Sequence, residues 1–166
     1  MNATILVFAY AISSQAAPLV APTYSPFVQS LAANGVIEKM SNGIGSTYRT
    51  TVLYADATQM TIRLTNTLQI SGREPFVAMF DYPIEFGNVK QYSVKEAKNS
   101  KETNLIRILL TVKAPGKMFK DGVETAKDVN FAEIPASSLE KIKAIDQALK
   151  QSLRASNVNC PAILGQ

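Results

Sequence analysis

Residues 104–115 read NLIRILLTVKAP, and this stretch decides the fold class. Side chains of a β-strand point alternately to its two faces. One face of the stretch, from Ile106 to Val112, is therefore wholly apolar, whereas the other mixes leucine with Arg107, Thr111 and Lys113. Such alternation is typical of an antiparallel sheet that buries one face and leaves the other open.

Two earlier stretches, residues 59–67 and 75–83, alternate in the same way. The sequence Ser71-Gly72-Arg73 between them predicts a hairpin turn. Residues 36–40 and 49–55 are predicted to be further strands, because β-branched side chains there lie between turn-forming segments. The sequence leaves open which of these two strands pairs with residues 59–67.

A C-terminal helix is predicted, because Ser137 and Glu140 have the spacing of a capping box directly after Pro135. Apolar residues follow at intervals of three and four, which places them on one face of the helix. This stripe consists of Leu139, Ile142, Ile145, Leu149 and Leu153. The helix is therefore expected to cover the apolar face of the sheet, and residues 162–164 to form one more short turn.

The N-terminal arm is neutral apart from the terminal amine, since the first charged side chain is Glu38. Apolar runs at residues 4–10 and 19–23 predict a hairpin within residues 1–30. The arm is too short and too interrupted by proline to span a membrane. A signal peptide cleaved near Ser14-Gln15-Ala16 is an alternative interpretation, although the arm lacks the usual positive charge.

Two segments lack a regular spacing of apolar residues that would indicate a strand or a helix. Residues 88–103 are polar and rich in lysine, which predicts a long exposed loop. Residues 116–134 are mixed, and they predict a loop or insertion with a short strand near residues 129–132. The chain is thus expected to be a single domain, with its sheet in residues 34–115 and its C-terminal helices in residues 136–166.

The composition argues against most enzyme classes. The chain has 166 residues, a length that suits one domain, and it contains no histidine. The commonest general base and the commonest metal ligand are therefore missing, and no catalytic residue, metal or cofactor is predicted. A formal net charge of +4 modestly favours nucleic acid or another acidic partner. The single cysteine, Cys160, excludes an internal disulfide and is interpreted as a packed apolar residue.

The predicted order of a hairpin, an antiparallel meander and two helical pieces resembles the coat proteins of single-stranded RNA bacteriophages. The resemblance covers nearly the whole chain. It rests on four pieces, which are Ala33-Asn34-Gly35-Val36 followed by Glu38, Met60-Thr61-Ile62-Arg63-Leu64, the strand ends at Pro83 and Pro115, and the tail Asn159-Cys160-Pro161-Ala162-Ile163.

The resemblance implies an α+β subunit that forms a homodimer. Two meanders would join edge to edge, and the C-terminal helices would pack on the sheet of the partner, with the apolar stripe as the dimer interface. Dimers would assemble into an icosahedral shell in the cytoplasm of a host bacterium and package single-stranded RNA in the virion. The lysines of the exposed segment would lie between dimers, and these are Lys90, Lys95, Lys98 and Lys101.

The same resemblance assigns the RNA contacts to the open face of the sheet. Cations there would neutralise phosphate, and hydroxyls would offer hydrogen bonds. The residues concerned are Thr61, Arg63, Thr65, Arg107, Thr111 and Lys113.

Coat proteins that repress translation hold unpaired adenines in pockets of small polar residues and a lysine. Here Thr61 fits this pattern, whereas Arg63, Val77 and Met79 occupy the other corresponding places. Val36 joins the pocket only if residues 36–40 neighbour residues 59–67. We therefore expect genome packaging rather than recognition of one RNA hairpin. The alternative function is a secreted or periplasmic β-rich binding domain with an N-terminal signal.

Overall fold

A computed structural model describes residues 19–41, 44–98, 102–120 and 123–165. They form an α+β fold, in which two main helices pack on a mostly antiparallel mixed sheet of eight strands. The strands are β1 (Leu19–Val20), β2 (Val36–Ser41), β3 (Ile44–Ala55), β4 (Gln59–Ile70), β5 (Phe76–Glu85), β6 (Val89–Lys95), β7 (Asn104–Lys120) and β8 (Val123–Ala136). The helices are α1 (Ser25–Asn34), α2 (Leu139–Ala155) and the short α3 (Pro161–Leu164).

The strands β2, β3, β4 and β5 form an antiparallel series, and β1 adds to β3 in the parallel direction. The long strand β7 completes the sheet. It pairs with β8 on one side, while its first half pairs with β6 and its second half with β5 on the other side. Gly116 lies where β5, β7 and β8 meet, and a Cβ atom there would come within 2.8 Å of the Asp81 carbonyl oxygen. Glycine permits this close approach of backbones.

The alternating stretches form the strands that their period predicts. Residues 59–67 and 104–115 lie in β4 and β7, and all but the first of residues 75–83 lie in β5; each strand continues beyond its predicted C-terminal end. The predicted hairpin between β4 and β5 is confirmed, with Gly72 at a φ of 75° in the turn. Residues 36–40 and 49–55 lie in β2 and β3, and β3 is the strand that pairs with β4.

Two segments predicted to be loops are strands over most of their described length. Residues 89–95 form β6, whose half-buried Tyr92 pairs in register with the core residue Ile108. Residues 116–120 end β7 and residues 123–134 belong to β8, which pairs with β7, whereas the short strand predicted near residues 129–132 is confirmed within β8. Both segments are largely exposed, so their side chains are polar and the apolar alternation that marks a strand is weak.

The predicted N-terminal hairpin is only partly within the described residues. Its first strand, at residues 4–10, lies outside them. Its second is limited to β1 and pairs with β3 at Tyr54 and Ala55. A turn of 3-10 helix at Pro22–Tyr24 and then α1 follow, so the prediction of a hairpin is wrong for residues 22–30. Phe27 and Leu31 bury the inner face of this unpredicted helix.

The helix α2 begins one residue later than the capping box predicts. Ser138, not Ser137, is the N-cap, and its Oγ accepts a hydrogen bond of 3.2 Å from the backbone N–H of Lys141. The predicted short turn at residues 162–164 is confirmed as α3. No helix within the described ranges is long and apolar enough to cross a membrane.

The core lies between the helices and the inner face of the sheet. Met60, Ile62 and Ile106 are fully buried there, together with the α2 residues Ile142 and Ile145. The apolar stripe of α2 is therefore covered within this chain. At the outer side of α2, Asp146 accepts a hydrogen bond of 2.5 Å from the Tyr92 hydroxyl and pairs with Lys150. This contact ties α2 to β6.

Candidate nucleic-acid interface

The outer face of β3 and β4 is rich in threonine. Val52 and Ile62 are buried on the inner face, so the residues beside them in each strand point outward. Register pairs on the outer face join Thr47 to Thr67 and Thr51 to Arg63. Arg49 pairs with Thr65, and Thr61 pairs with Tyr54. We call the set Thr47, Arg49, Thr51, Thr61, Thr65 and Thr67 the threonine face.

The polar groups of the threonine face are open to a partner. Its five threonine hydroxyls form no hydrogen bond to any residue that the structure describes. Arg49 is exposed and has no carboxylate partner within the same ranges. Glu38 on β2 lies diagonally across from Arg49, beside Thr47, and is the nearest negative charge on this face by strand register. Four of these positions, Thr47, Arg49, Thr51 and Thr67, are absent from the RNA contacts that the sequence predicts, although the alternation Thr-x-Arg-x-Thr at residues 47–51 marks the first three.

Arg63 lies on the same side of the sheet but is held by its neighbours. Its Nε and Nη2 donate hydrogen bonds of 2.6 and 2.8 Å to the two carboxylate oxygens of Asp81. Its guanidinium also lies 5.2 Å from the ring centre of Phe119. The hydrogen bonds to Asp81 raise the pKa of Arg63. This arginine is therefore committed to an internal pair with little charge left for phosphate.

Arg107 lies apart from the threonine face. It forms an ion pair with Glu133 and stacks 5.8 Å from the ring centre of Phe131. Glu133, the partner of Arg107, and Leu64 line one cavity of about 300 Å³. Leu64 follows Arg63 in β4, so its side chain points to the face opposite the threonine face. The structure therefore places Arg107 on the opposite side of β4 from Arg63, and the predicted set of six contacts is not a single surface.

The other two predicted contacts lie in an irregular part of β7. The register with β8 shifts between Leu109 and Ala114, and Thr111 and Lys113 are exposed within the shift. The Thr111 hydroxyl donates a hydrogen bond of 3.1 Å to the backbone oxygen of Asn88, which ties β7 to the start of β6. Lys113 forms no ion pair with any described residue.

Of the three residues that occupy pocket positions, Val36 lies apart from the other two. Val36 pairs with Arg49, so β3 separates it from β4. Since Arg49 pairs with Thr65 and Thr65 with Met79, Val36 and Met79 are three strands apart, about 14 Å at the usual spacing. Val77 is exposed on β5. The distance between Val36 and Met79 is too great for all three to line one adenine pocket.

The lysines predicted to lie between dimers are spread along β6 and the segment after it. Lys90 and Lys95 are on β6, and Lys98 follows with its backbone N–H bonded to Glu102. Lys101 is outside the described residues. Lys95 and Lys98 line a cavity of about 970 Å³ together with Glu96 and Glu102, so positive and negative charges alternate there.

The remaining reactive groups are structural. The thiol of Cys160 is buried, and desolvation raises its pKa, which keeps it protonated. In the part of the chain that the structure covers, no three acidic, cysteine or histidine side chains are grouped as metal ligands. Comparison of the chain with models of known families, with curated proteins and with solved structures found no match.

Proposed function

We propose that this protein is a viral coat protein, not an enzyme, that packages single-stranded RNA in an icosahedral shell assembled in a bacterial host. The observation that carries the proposal is the threonine face, on the side of the sheet opposite the helices. Its open hydroxyls surround Arg49, which has no carboxylate partner among the described residues. Hydroxyls and an arginine suit the sugar and phosphate groups of RNA. The resemblance in sequence supports the same function.

The cation of this interface is assigned to Arg49 rather than to Arg63 or Arg107. Both of the latter are neutralised by a carboxylate within the chain. Lys113 is one of several lysines outside the threonine face that form no ion pair with a described residue. Because the threonine face itself carries a single cation, Arg49, we expect RNA to be held weakly by each subunit and tightly by the many subunits of a shell.

The edge of β8 is proposed to join two subunits into the dimer. Within the described residues β8 pairs only with β7, so no strand is hydrogen-bonded to its other edge. Val123 and Phe131 are exposed on this strand. Pairing with a second copy would satisfy the open edge and cover these side chains.

The resemblance also implies that α2 packs on the partner. Because α2 is buried against its own chain, that arrangement requires the two subunits to exchange their C-terminal helices. Exchange preserves the same contacts between α2 and a sheet, so the sheet and helix residues stay buried in either arrangement.

The first test is expression of the chain alone, followed by size exclusion, electron microscopy and the ratio of nucleic-acid to protein absorbance. We expect RNA-filled shells. A stable monomer without nucleic acid would contradict the proposal and favour the secreted binding domain, whose signal would be tested by N-terminal sequencing.

The second test uses three substitutions of single exposed charges. Arg49→Gln should lower the affinity for a single-stranded RNA and reduce the slope of log affinity against log salt by about 0.7. Glu38→Gln should raise the affinity. Arg73→Gln, in the turn between β4 and β5, is the matched control and should have a smaller effect than Arg49→Gln. Equal effects of the two arginine substitutions would show that RNA does not select the threonine face.

A further inference from the structure

A gap interrupts the row of strands along one edge of β3. On this edge β1 pairs with Tyr54 and Ala55, and β2 reaches only to Arg49. Within the described residues no strand pairs there with residues 51–53. A cavity of about 340 Å³ opens at this place, between β3 and α1. The gap therefore leaves these residues of β3 without a neighbour on that side.

The wall of the cavity has the form of an open strand edge. It contains side chains from both faces of β3, with Thr51 on the outer face and Val52 on the inner face. A small molecule lying against one face would contact only one of the two. An extended segment beside β3 contacts both, because its own side chains alternate between the same two faces. The wall is completed by Val28, Leu31, Ala32, Val36, Arg49 and Thr50.

The backbone of β3 offers hydrogen bonds to such a segment. The N–H of Thr50 donates a hydrogen bond of 3.4 Å to the backbone oxygen of Gly35, so it points to this edge. Backbone groups of a strand point alternately to its two edges, and those of Val52 therefore point into the gap. Val52 is 6% exposed. Because buried backbone groups are nearly always hydrogen-bonded, a partner for Val52 is expected.

The direction of β1 identifies the occupant. β1 runs parallel to β3, with Leu19 opposite Tyr54. If the strand continues backward, the residues before Leu19 lie beside those before Tyr54, which is where the gap is. The segment in question is Ala16-Ala17-Pro18, which lies outside the described residues. It has the same number of residues as the unpaired stretch 51–53, and strands of equal residue number have nearly equal length.

The sequence of this segment suits an edge position. The N–H of Ala21 donates a hydrogen bond of 3.0 Å to the backbone oxygen of Ala55, so every second residue of this strand turns its backbone groups toward β3. By this alternation Ala17 faces β3, and Pro18 faces the opposite edge. Proline has no N–H to donate and is accepted on an edge strand in that orientation. The two alanines are small enough for the narrow space beside α1.

We propose that Ala16, Ala17 and Pro18 extend β1 along residues 51–53 of β3 and close the cavity. The occupant is the chain's own N-terminal segment, not a small ligand or a second copy. This inference goes beyond RNA packaging and does not depend on it. It also bears on the signal-peptide alternative, because cleavage after Ala16 would leave a charged amine in an apolar gap, which is unfavourable.

The first test is disulfide formation in the full chain carrying Ala17→Cys and Thr51→Cys. The extended strand places both positions on the outer face, side by side. We expect rapid oxidation within one chain, a linked peptide in mass spectrometry, and a midpoint of thermal unfolding that falls when the bond is reduced. Cys160 is buried and should stay a free thiol.

The control carries Ala17→Cys and Thr67→Cys. Thr67 is four residues along β4 from Arg63, the partner of Thr51, so it lies at least about 13 Å from Thr51. This distance is too long for a disulfide to bridge. Equal oxidation of the two pairs, a link between two chains, or no link in the folded Ala17→Cys and Thr51→Cys protein would each overturn the proposal.

The second test compares proline at two adjacent positions. Ala17→Pro removes an N–H that faces β3, and it should lower the midpoint of thermal unfolding by about 2 to 4 °C. Ala16→Pro removes an N–H that faces the opposite edge, and it should leave the midpoint unchanged. Equal midpoints in the two variants would refute the strand extension. Neither test uses RNA, so the outcome is independent of the packaging function.

Discussion

Arg63 and Arg107, which the alternation of strand side chains predicts on an open face of the sheet, each form an ion pair with a carboxylate in the folded chain. Asp81 is 7% exposed and its carboxylate is matched by both donor groups of Arg63. A buried charge that loses its partner is strongly destabilising. The pair therefore stabilises the sheet, and we expect removal of either member to lower the stability of the fold before it affects RNA binding.

We expect Arg63→Gln to lower the free energy of unfolding by about 2 to 4 kcal/mol, because Asp81 would stay buried without its partner. The measurement is urea denaturation followed by circular dichroism. Lys117→Gln is the control, since its pair with Glu124 is about half exposed and should contribute less than about 1 kcal/mol. Equal losses in the two variants would contradict the structural role of Arg63.

A buried tyrosine should make stability depend on alkaline pH. Burial raises the pKa of Tyr24 to about 12, and its hydroxyl donates a hydrogen bond of 2.6 Å to the backbone oxygen of Asp56. The unfolded chain ionises near a pKa of about 10. The stabilisation is thus complete below pH 10 and is lost as pH rises through about 12. Tyrosinate absorbance and urea midpoints across this range should show the loss, and Tyr24→Phe should reduce it.

At the scale of elements, the cap of α2 distinguishes two serines that are adjacent in sequence. The structure uses Ser138, whose side chain accepts the hydrogen bond from Lys141. Ser138→Ala should therefore cost about 1 kcal/mol of stability, as is usual for an N-cap, and Ser137→Ala should cost less than half of that. The comparison is made from thermal or urea midpoints. A larger loss for Ser137→Ala would instead support Ser137 as the N-cap, in the capping box with Glu140 that the sequence predicts.

How far the sequence predicts an element depends on what the element buries. The strands β4, β5 and β7 and the helix α2 are predicted because each has one buried and one open face, which sets a clear period. The strand β6 is missed, and β8 is predicted only near residues 129–132, because their exposed, lysine-bearing parts hide the weak alternation. The helix α1 is missed because only Phe27 and Leu31 anchor it.

The candidate interface follows the same rule. Alternation predicts Thr61 and Thr65 on the outer face, and their strand does place them there. It cannot show that Asp81 lies beside Arg63 or that Glu133 lies beside Arg107, because these contacts arise from pairing between strands that are distant in sequence. Arg49 could therefore replace Arg63 as the proposed RNA contact only once the pairing of the strands was known.

For the whole molecule, the apolar stripe of α2 decides how the chain and a partner are related. Ile142→Ala should lower stability by about 2 to 5 kcal/mol, because this side chain is fully buried. If α2 packs on its own chain, urea midpoints of the variant should not change with protein concentration, apart from any contribution of the β8 edge. A loss relative to the unsubstituted chain that grows on dilution would show that α2 packs on the partner, because the contribution of the β8 edge is common to both proteins.

The position of β7 also has a consequence for synthesis on the ribosome. β5 is complete at Glu85, but its second edge is filled by residues 117–120 of β7. At about 5 to 20 residues per second, β5 would wait roughly 2 to 7 s for this partner. Throughout that interval a nascent chain exposes an unpaired edge that neighbouring nascent chains can bind. The rate of elongation across residues 86–120 should therefore influence how much of the protein is recovered soluble.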